Sequence, residues 1–504
     1  MLQVRAGRTF KCLSAHLCRA PATRIYARSY SVLDFLNERG LVQDTTSRAL
    51  NEHLSTKNDQ DKLVERTIYS GVDPSAESLH VGNLLPLITM LHLVTHGHHG
   101  LILLGGATGA IGDPSGRSTE RSALDIQQLE KNVASIRSQI YQFFHNAVAY
   151  LQRRGRIRAT PAPFIASRIK NEPEPLFLDS IDLKLINNLD WFRNVSALQF
   201  FAEVGRFARV NDMMARESVK TRLFPTDGHV SGMSFTEFSY QLMQAHDFSV
   251  LHKEKGCSVQ VGGSDQMGNI MAGIDLIRRQ KAAQLSNRAE VCMREDPAYG
   301  LTLPLLTTST GAKFGKSAGN AVWISSTMLS DFDFYQYFLR STDEDVERYL
   351  LALTLLPKEE VQQILSTHAE NKAKRIAQIR LAEEMTELVR GEDALQRARL
   401  ATQTLFESDV HSLTLKQVEF AFMNDPRLVH VPRGNTDILR LAADTKLVAS
   451  RSEARRLVQQ GGGLYLNNTP VKEVNAQLHD SQLLDGRFIV MRAGRTNHKI
   501  VVFT

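Results

Sequence analysis

The sequence has no long uninterrupted run of apolar residues. Its most apolar stretch lies at residues 84–104, where Pro86, His92 and Thr95 interrupt it before it reaches the length that a membrane-spanning helix needs. With 42% hydrophobic and 23% charged residues over 504 positions, the composition is that of a globular chain with room for two to four domains. We therefore expect no membrane span, and we exclude a fibre and a wholly disordered chain.

Cysteine is also scarce. Cys12 and Cys18 lie near the N-terminus, and Cys257 and Cys292 are the other two. None stands in the CxxC or CxxH spacing that is typical of zinc sites, and no disulfide framework is indicated. We expect no metal chemistry by cysteine and no metal site formed by the protein.

Acidic residues are missing from the first 33 positions, which contain six Lys and Arg. The rest of the chain has 54 basic and 54 acidic residues, so the net charge of +6 comes from this segment. An acid-free N-terminus with arginine, serine and interspersed apolar residues is typical of a mitochondrial transit peptide, which responds to an inside-negative potential. A basic arm that contacts RNA is the alternative. We predict a transit peptide at residues 1–31 and a location in the mitochondrial matrix.

A strand, a glycine-containing loop and a helix are predicted twice in the first part of the remaining chain. The first strand, at 66–70, ends in Gly71, and a helix begins near Leu79. The second, at 100–104, is wholly apolar after its glycine and leads into a loop with five glycines among residues 105–116. This order is typical of an α/β nucleotide-binding unit with a parallel sheet, in which glycines let the backbone approach a ligand.

Helical periodicity takes over from residue 331 to about 424 and indicates a second, helical domain. Prolines and a glycine at 426–434 predict a linker. Residues 433–504 then carry eleven Lys and Arg against six Asp and Glu, so the last domain is the basic one.

Two short motifs are candidates for phosphate chemistry. HVGN, at residues 80–83, is either an ordinary helix cap or a site where His80 donates to ATP phosphates and Gly82 leaves room for adenine. KFGKS, at 313–317, is either a charged turn or a glycine-hinged loop whose lysines neutralise charge on a transferring phosphate. A histidine at a helix start and a two-lysine loop far along the chain are the signature pair of class I aminoacyl-tRNA synthetases.

Residues 32–504 resemble tyrosyl-tRNA synthetase of the bacterial and mitochondrial type. Five segments stand in the order of that family: YSGVDPSAESLHVGN, GGATGAIGDPSGRSTER, FTEFSYQLMQAHD, VGGSDQMGNI and KFGKS. The resemblance implies an α/β fold with a Rossmann-like parallel-sheet catalytic domain at 32–325. It also implies an inserted dimerisation segment at about 150–235 and an α-helical anticodon-binding domain at 326–425.

The resemblance further implies a small α+β RNA-binding domain at 433–504. This part resembles ribosomal small-subunit protein four, with Arg455 and Arg456 on a helix at 452–460. Its positive charge is suited to phosphate contacts.

The resemblance assigns one group of residues to tyrosine. Tyr69 and Asp247 match the pair that hydrogen-bonds the substrate phenol, a pair that phenylalanine would leave unsatisfied. The residues that match contacts to the ammonium and carboxylate groups are Thr108, Asp113, Tyr240, Gln244 and Gln266.

A second group is assigned to ATP. The residues that match nucleotide contacts are Gly71, Asp73, His80, Gly82, Asn83, Gly263, Asp265, Lys313, Lys316 and Ser317. The residues that match the catalytic set around the phosphates are Ser75, His80, Asn83, Arg117, Arg121, Lys313 and Lys316. Asn83 stands where the family usually has histidine, and we expect weaker geometry there, not loss of activity.

The resemblance implies that the tyrosine carboxylate attacks the α-phosphate of ATP and that tyrosine is then transferred to the terminal adenosine of tRNA(Tyr). No protein nucleophile or base is needed, because a carboxylate is already ionised at pH 7. Mg²⁺ is expected to arrive with ATP, and the protein is expected to be a homodimer. A tryptophan-charging relative and an additional RNA role such as intron splicing are the alternatives; Tyr69 with Asp247 favours a phenol.

Overall fold

The fold is described from a computed structural model. It covers residues 31–115, 125–157, 176–178, 181–223, 232–284, 296–311, 314–317, 320–406, 410–434, 436–461, 463–494 and 496–504, with the backbone alone at 176–178, 316–317 and 320. The predicted transit peptide, apart from Ser31, and the predicted site residues Arg117, Arg121 and Lys313 lie outside the described residues.

The strands form three sheets. In chain order they are β1 (Asp44–Thr45), β2 (Thr67–Val72), β3 (His99–Leu104), β4 (Leu176–Leu178), β5 (Ile181–Asn187), β6 (Cys257–Gly263), β7 (Tyr299–Leu303), β8 (Lys316–Ser317), β9 (Asn320–Ala321), β10 (Leu428–Val431), β11 (Leu464–Leu466), β12 (Thr469–Pro470), β13 (Phe488–Ala493) and β14 (Asn497–Phe503). The largest sheet has the order β1-β7-β6-β2-β3-β5-β4, the second has the order β10-β14-β13-β11-β12, and β8 pairs with β9.

The α-helices surround the large sheet and then form the second half of the chain. They are α1 (Val32–Glu38), α2 (Leu50–Ser55), α3 (Leu84–Thr95), α4 (Thr108–Ile111), α5 (Ile126–Arg153), α6 (Leu189–Phe192), α7 (Ala197–Glu203), α8 (Val210–Met214), α9 (Glu217–Leu223), α10 (Phe235–Lys255), α11 (Met267–Gln284), α12 (Asp331–Leu339), α13 (Asp343–Leu353), α14 (Lys358–Glu370), α15 (Ile376–Arg390), α16 (Glu392–Phe406), α17 (Leu415–Ala421), α18 (Ile438–Asp444) and α19 (Arg451–Gln459). Among the described helices, none combines the length and the hydropathy needed to cross a membrane.

The large sheet confirms the predicted α/β class. Its five central strands, β7, β6, β2, β3 and β5, are parallel, and the two edge strands are antiparallel to their neighbours. In β3 every residue after His99 is buried, as expected for a strand covered by helices on both faces. Because β2 lies between β3 and β6, the direction of the connections reverses at β2, and ligands of such sheets bind at the carboxyl ends of the strands at that point.

The helical part shares its core with the catalytic part. One cluster of buried side chains runs from Leu36 through Phe314 and Phe334 to Met385. The buried Arg39, directly after α1, donates to the carbonyl oxygens of Leu351 and Thr354 in the helical part. This arrangement fixes the helical part against the sheet.

The segment at 426–434 differs from the predicted linker. Its residues 428–431 form β10, which pairs in parallel with β14 of the C-terminal sheet. One face of that sheet packs on α16 and α17, so that Phe422 and Phe488, both fully buried, belong to a single core. The flanking prolines bound an edge strand, a position where proline is tolerated. The helical and C-terminal parts are therefore joined by packing and not only by the chain.

Candidate active site

The floor of the candidate site lies between β2 and α10. Tyr69 is on β2 and Asp247 is on α10, and both side chains are buried. Asp247 accepts hydrogen bonds from Asn188 Nδ2 at 3.0 Å and from Trp191 Nε1 at 2.9 Å. The Tyr69 hydroxyl is buried, and no group among the described residues hydrogen-bonds to it.

Burial dominates the electrostatics of this floor. It raises the pKa of Asp247 to about 8, against the opposing effect of the hydrogen bonds from Asn188 and Trp191. Burial, and then the charge of Asp247, raises the pKa of Tyr69 well above its usual value. A neutral hydroxyl with an unused donor, next to a carboxyl group, is suited to a ligand group that can both accept and donate a hydrogen bond, as a phenol can.

A second polar group lies above this floor, where β2 and the glycine-rich loop end. Asp73 accepts from the Tyr240 hydroxyl at 2.6 Å and from Thr108 Oγ1 at 2.8 Å. Burial, followed by the charge of Asp73, raises the pKa of Tyr240, which keeps this hydroxyl protonated as a donor. A methyl group on Gly105 would lie 1.9 Å from Asp73 Oδ1, so only glycine at 105 allows this carboxylate its position.

The helix α10 brings three of the predicted residues together. Ser234 caps its N-terminus by accepting from the Glu237 amide, and Gly256 ends it with a φ of 64°. Tyr240, Gln244 and Asp247 are spaced by four and three residues, so they share the helix face that looks onto β2.

Asp113 is the second carboxylate of the site. It accepts from Gln266 Nε2 at 2.7 Å and from the Ser115 amide at 2.9 Å. Gln244 Nε2 donates to Gln266 Oε1 at 3.2 Å, and the buried Asn269 lies within 3.3 Å of the side-chain oxygens of both. Two carboxylates with this network of donors and acceptors can receive an ammonium group.

The HVGN and KFGKS motifs meet, although more than 230 residues separate them. The His80 amide donates to Asn83 Oδ1 at 3.0 Å, and His80 stands at the N-cap position of the short turn at 81–83. Gly315 has a φ of 87°, and a methyl group there would lie 2.9 Å from Val81 Cγ2 and 3.1 Å from the Gly82 nitrogen. The KFGKS loop therefore packs directly against the HVGN motif.

The remaining predicted residues are at the open edge of the sheet. Gly71, Ser75 and Asp265 are exposed, and Gly82 and Gly263 are half-buried. The Ser75 amide donates to the Asp73 carbonyl oxygen at 2.8 Å. Lys316 and Ser317 form β8, whose backbone follows Gly315 directly.

Sequence reasoning missed two residues of the floor. Asn188 is fully buried, and it also donates to Thr108 Oγ1 at 3.0 Å and accepts from the Ala107 amide at 2.7 Å. Trp191 is one of only two tryptophans in the sequence. The signal that could have found Asn188 is its place directly after β5, at the carboxyl edge where the other site residues lie.

Two family models match the chain. One, described as "tRNA synthetases class I (W and Y)", covers residues 62–407, and another, described as a "Tyrosine--tRNA ligase SYY-like C-terminal domain", covers residues 417–501.

Similar proteins carry matching names. A chloroplastic/mitochondrial tyrosine–tRNA ligase of Arabidopsis thaliana is 39% identical over 497 residues, with 98% of this chain and 87% of the relative covered. A tyrosine–tRNA ligase of Levilactobacillus brevis is 35% identical, with 93% of this chain and 98% of the relative covered.

A solved structure supports the same grouping. The C-terminally truncated mitochondrial tyrosyl-tRNA synthetase of Aspergillus nidulans aligns with a TM-score of 0.62 and 33% identity, covering 75% of this chain and 94% of the other. Since the family models and the relatives span nearly the whole chain, the protein belongs to the tyrosyl-tRNA synthetases, which are ATP-dependent class I aminoacyl-tRNA synthetases.

Proposed function

We propose that this protein joins L-tyrosine to ATP as tyrosyl-adenylate and then transfers tyrosine to the 3′ terminal adenosine of mitochondrial tRNA(Tyr). The observation that carries the proposal is the buried hydroxyl of Tyr69, which lies beside Asp247 and has no hydrogen-bond partner among the described residues. The bound phenol oxygen accepts from Tyr69, and its proton is donated to Asp247. A phenylalanine side chain leaves the buried Tyr69 hydroxyl unsatisfied and offers no donor to Asp247, which costs binding free energy.

The amino-acid backbone of tyrosine is held at the other end of the pocket. Asp113, Thr108, Tyr240 and Gln244 form the set of groups around the ammonium, and Asp73, which accepts from Thr108 and Tyr240, lies beside the forming adenylate. We assign Gln266 to the carboxylate of the substrate and Asp265 to the ribose of ATP. The hydrogen bonds within this set pre-arrange it before the substrate binds, which lowers the cost of orientation.

Phosphate transfer relies on position and charge. The tyrosine carboxylate attacks the α-phosphate, pyrophosphate leaves, and no proton has to move in this step. Ser75 and His80 hold the departing pyrophosphate, and Gly71, Gly82 and Gly263 leave room for the nucleotide. The amide Nδ2 of Asn83 donates to the ribose, since its Oδ1 is used by the His80 amide.

Basic residues of the KFGKS loop and of the glycine-rich loop after β3 neutralise the negative charge around the pentacoordinate phosphorus. We assign this role to Lys313, Lys316, Arg117 and Arg121, with Ser317 on the nucleotide. Within the described part of the chain, no group of three His, Cys, Asp or Glu side chains could hold a metal ion. We propose that Mg²⁺ would arrive with ATP, held mainly by phosphate oxygens, and would supply charge neutralisation there.

Two surfaces support the proposed partners. On α19, Arg455 and Arg456 are exposed, in keeping with an RNA-binding role for residues 433–504 beside an anticodon-binding domain at 326–425.

The inserted segment at about 150–235 and the start of α10 expose large apolar side chains, with Leu198 at 84% and Phe235 at 70% exposure. We infer that a second copy of the chain covers this surface in a homodimer.

We also propose that residues 1–31 direct the protein to the mitochondrial matrix. The Arabidopsis relative is named as a chloroplastic/mitochondrial enzyme and the Aspergillus structure as a mitochondrial one. Ser31 accepts from the Asp34 amide and so caps α1, which supports a boundary of the mature protein close to this residue.

Pyrophosphate exchange with ATP tests the function. Exchange that depends on L-tyrosine, and that L-tryptophan and L-phenylalanine do not support, is the expected result. Exchange with tryptophan instead would overturn the proposal in favour of the tryptophan-charging alternative. Charging of a mitochondrial tRNA(Tyr) transcript in the same preparation tests the second step.

A further inference from the structure

The KFGKS loop is attached to the helical domain by an aromatic socket. Phe314 is buried, and its ring centroid lies 4.7 Å from that of Tyr349, 5.7 Å from that of Tyr337 and 6.3 Å from that of Phe338. Tyr337 and Phe338 are on α12, and Tyr349 is on α13. The ring of this phenylalanine is therefore held by the helical domain, whereas its amide donates to the carbonyl oxygen of Leu306, after β7, at 2.9 Å.

One hydrogen bond in this socket reaches the loop backbone. The Gly315 amide donates to the Tyr337 hydroxyl at 2.9 Å. Burial raises the pKa of Tyr337 to about 12, so this hydroxyl keeps its proton at neutral pH. Gly315 is the residue that touches Val81 and Gly82 of the HVGN motif, and Lys316 follows it.

The segment that leaves the loop is held separately. The Val322 amide donates to the Gly315 carbonyl oxygen at 2.8 Å, and the Val81 amide donates to the Val322 carbonyl oxygen at 2.9 Å. The buried Arg390, at the end of α15, then donates to the carbonyl oxygens of Trp323, Ile324 and Ser325 at 3.1 to 3.3 Å. With this segment fixed, the orientation of the Gly315 peptide decides where the chain carries Lys316.

We propose that Tyr337 is a positioning residue for adenylate formation, acting through its hydrogen bond to the Gly315 amide. The bond keeps the loop backbone against the HVGN motif, and so keeps the lysine that follows beside the phosphate site. This inference rests on the proposed function, because it assumes that the loop takes part in phosphate transfer. Its effect falls on the chemical step and on ATP, and not on tyrosine, whose pocket is at the opposite end of the site.

Single-turnover adenylate formation by the full-length Tyr337→Phe variant tests the proposal. The substitution removes one oxygen atom and keeps the ring that packs on Phe314. We expect the rate constant at saturating ATP and tyrosine to fall about five- to tenfold, as the loss of one hydrogen bond predicts. The dissociation constant for tyrosine should stay unchanged, and the melting temperature should fall by no more than a few degrees, as expected for one unpaired amide.

Tyr335→Phe is the matched control. It removes a buried hydroxyl from the same helix, but this hydroxyl lies near Glu383 and Arg399 of the helical domain. We expect wild-type rates from this variant. A Tyr337→Phe rate equal to or above that of an active wild type would overturn the inference and leave the proposed function standing. A Tyr337→Phe variant that loses tyrosine affinity and melting temperature together would also overturn the inference, because it would show a general structural effect. Absence of tyrosine-dependent exchange in the wild type would refute the proposed function itself.

Discussion

Replacing Tyr69 by phenylalanine should stabilise the unliganded protein and weaken its binding of tyrosine. The Tyr69 hydroxyl is buried and has no hydrogen-bond partner among the described residues. A buried polar group in that condition costs about 1–3 kcal/mol, so its removal should raise the free energy of unfolding by about 1 kcal/mol once the smaller ring contact is allowed for. Because the bound phenol would lose one donor, worth about 0.5–1.5 kcal/mol, tyrosine affinity should fall about two- to tenfold.

The assay is denaturant unfolding without tyrosine, together with equilibrium binding of tyrosine. Tyr240→Phe is the matched control, since its hydroxyl donates to Asp73 at 2.6 Å. That variant should lower the free energy of unfolding by about 1–3 kcal/mol, because it leaves a carboxylate with one donor fewer. If Tyr69→Phe also lowers it by more than about 1 kcal/mol, the reasoning from an unsatisfied hydroxyl is refuted.

Three further predictions concern stability. Folding raises the pKa of Asp247 to about 8, so the folded state keeps a proton that the unfolded state releases above pH 4. The contribution of Asp247 to the free energy of unfolding should therefore fall between pH 4 and 8, by at most about 1.4 kcal/mol per pH unit. The pH dependence of unfolding, compared with that of Asp247→Asn, checks this. Arg390→Met should cost about 3–5 kcal/mol in urea unfolding, since Arg390 is buried and pairs with Asp331 at 3.0 Å, whereas Arg399→Met, at an exposed pair, should cost less than about 1 kcal/mol. Phe488→Ala should cost about 3–5 kcal/mol, and the helical and C-terminal parts should unfold in one transition.

Each of these has an outcome that would contradict it. An equal pH slope for the wild type and Asp247→Asn over this range would mean that the Asp247 carboxyl is already ionised in the folded protein. Equal costs for the Arg390 and Arg399 variants would mean that burial does not matter at Arg390. Two separate unfolding transitions, with the Phe488 variant affecting only the second, would show that the shared core contributes little.

The sequence predicted the α/β class and the parallel sheet, because glycine loops after apolar strands and the order of the motifs are local signals. The family resemblance, and not these local signals, identified Tyr69, Asp73, Asp113, Tyr240, Asp247 and Gln266, which the structure brings together; their roles remain predictions. Asn188 and Trp191 could not be found in this way, since their partner Asp247 lies more than fifty residues away along the chain. A buried hydrogen bond between distant residues leaves no periodic pattern.

The linker was mispredicted for a related reason. Proline and glycine at 426–434 report only local backbone preference, whereas β10 is stabilised by pairing with β14 at the far end of the chain. The attachment of the KFGKS loop by Tyr337 was missed because nothing in the spacing of α12 distinguishes a tyrosine that faces a loop from one that faces the core.

The apolar contact between the C-terminal sheet and α16 and α17 bears on how the chain can be shortened. Removing residues from 433 onward would take away Phe488 and its neighbours and leave Phe422 and Phe332 uncovered. The truncated protein would expose an apolar surface that promotes aggregation. The change in composition near residue 433 therefore does not mark a position where the chain can be truncated. Residues 331–504 should be kept together in any shortened form of the protein.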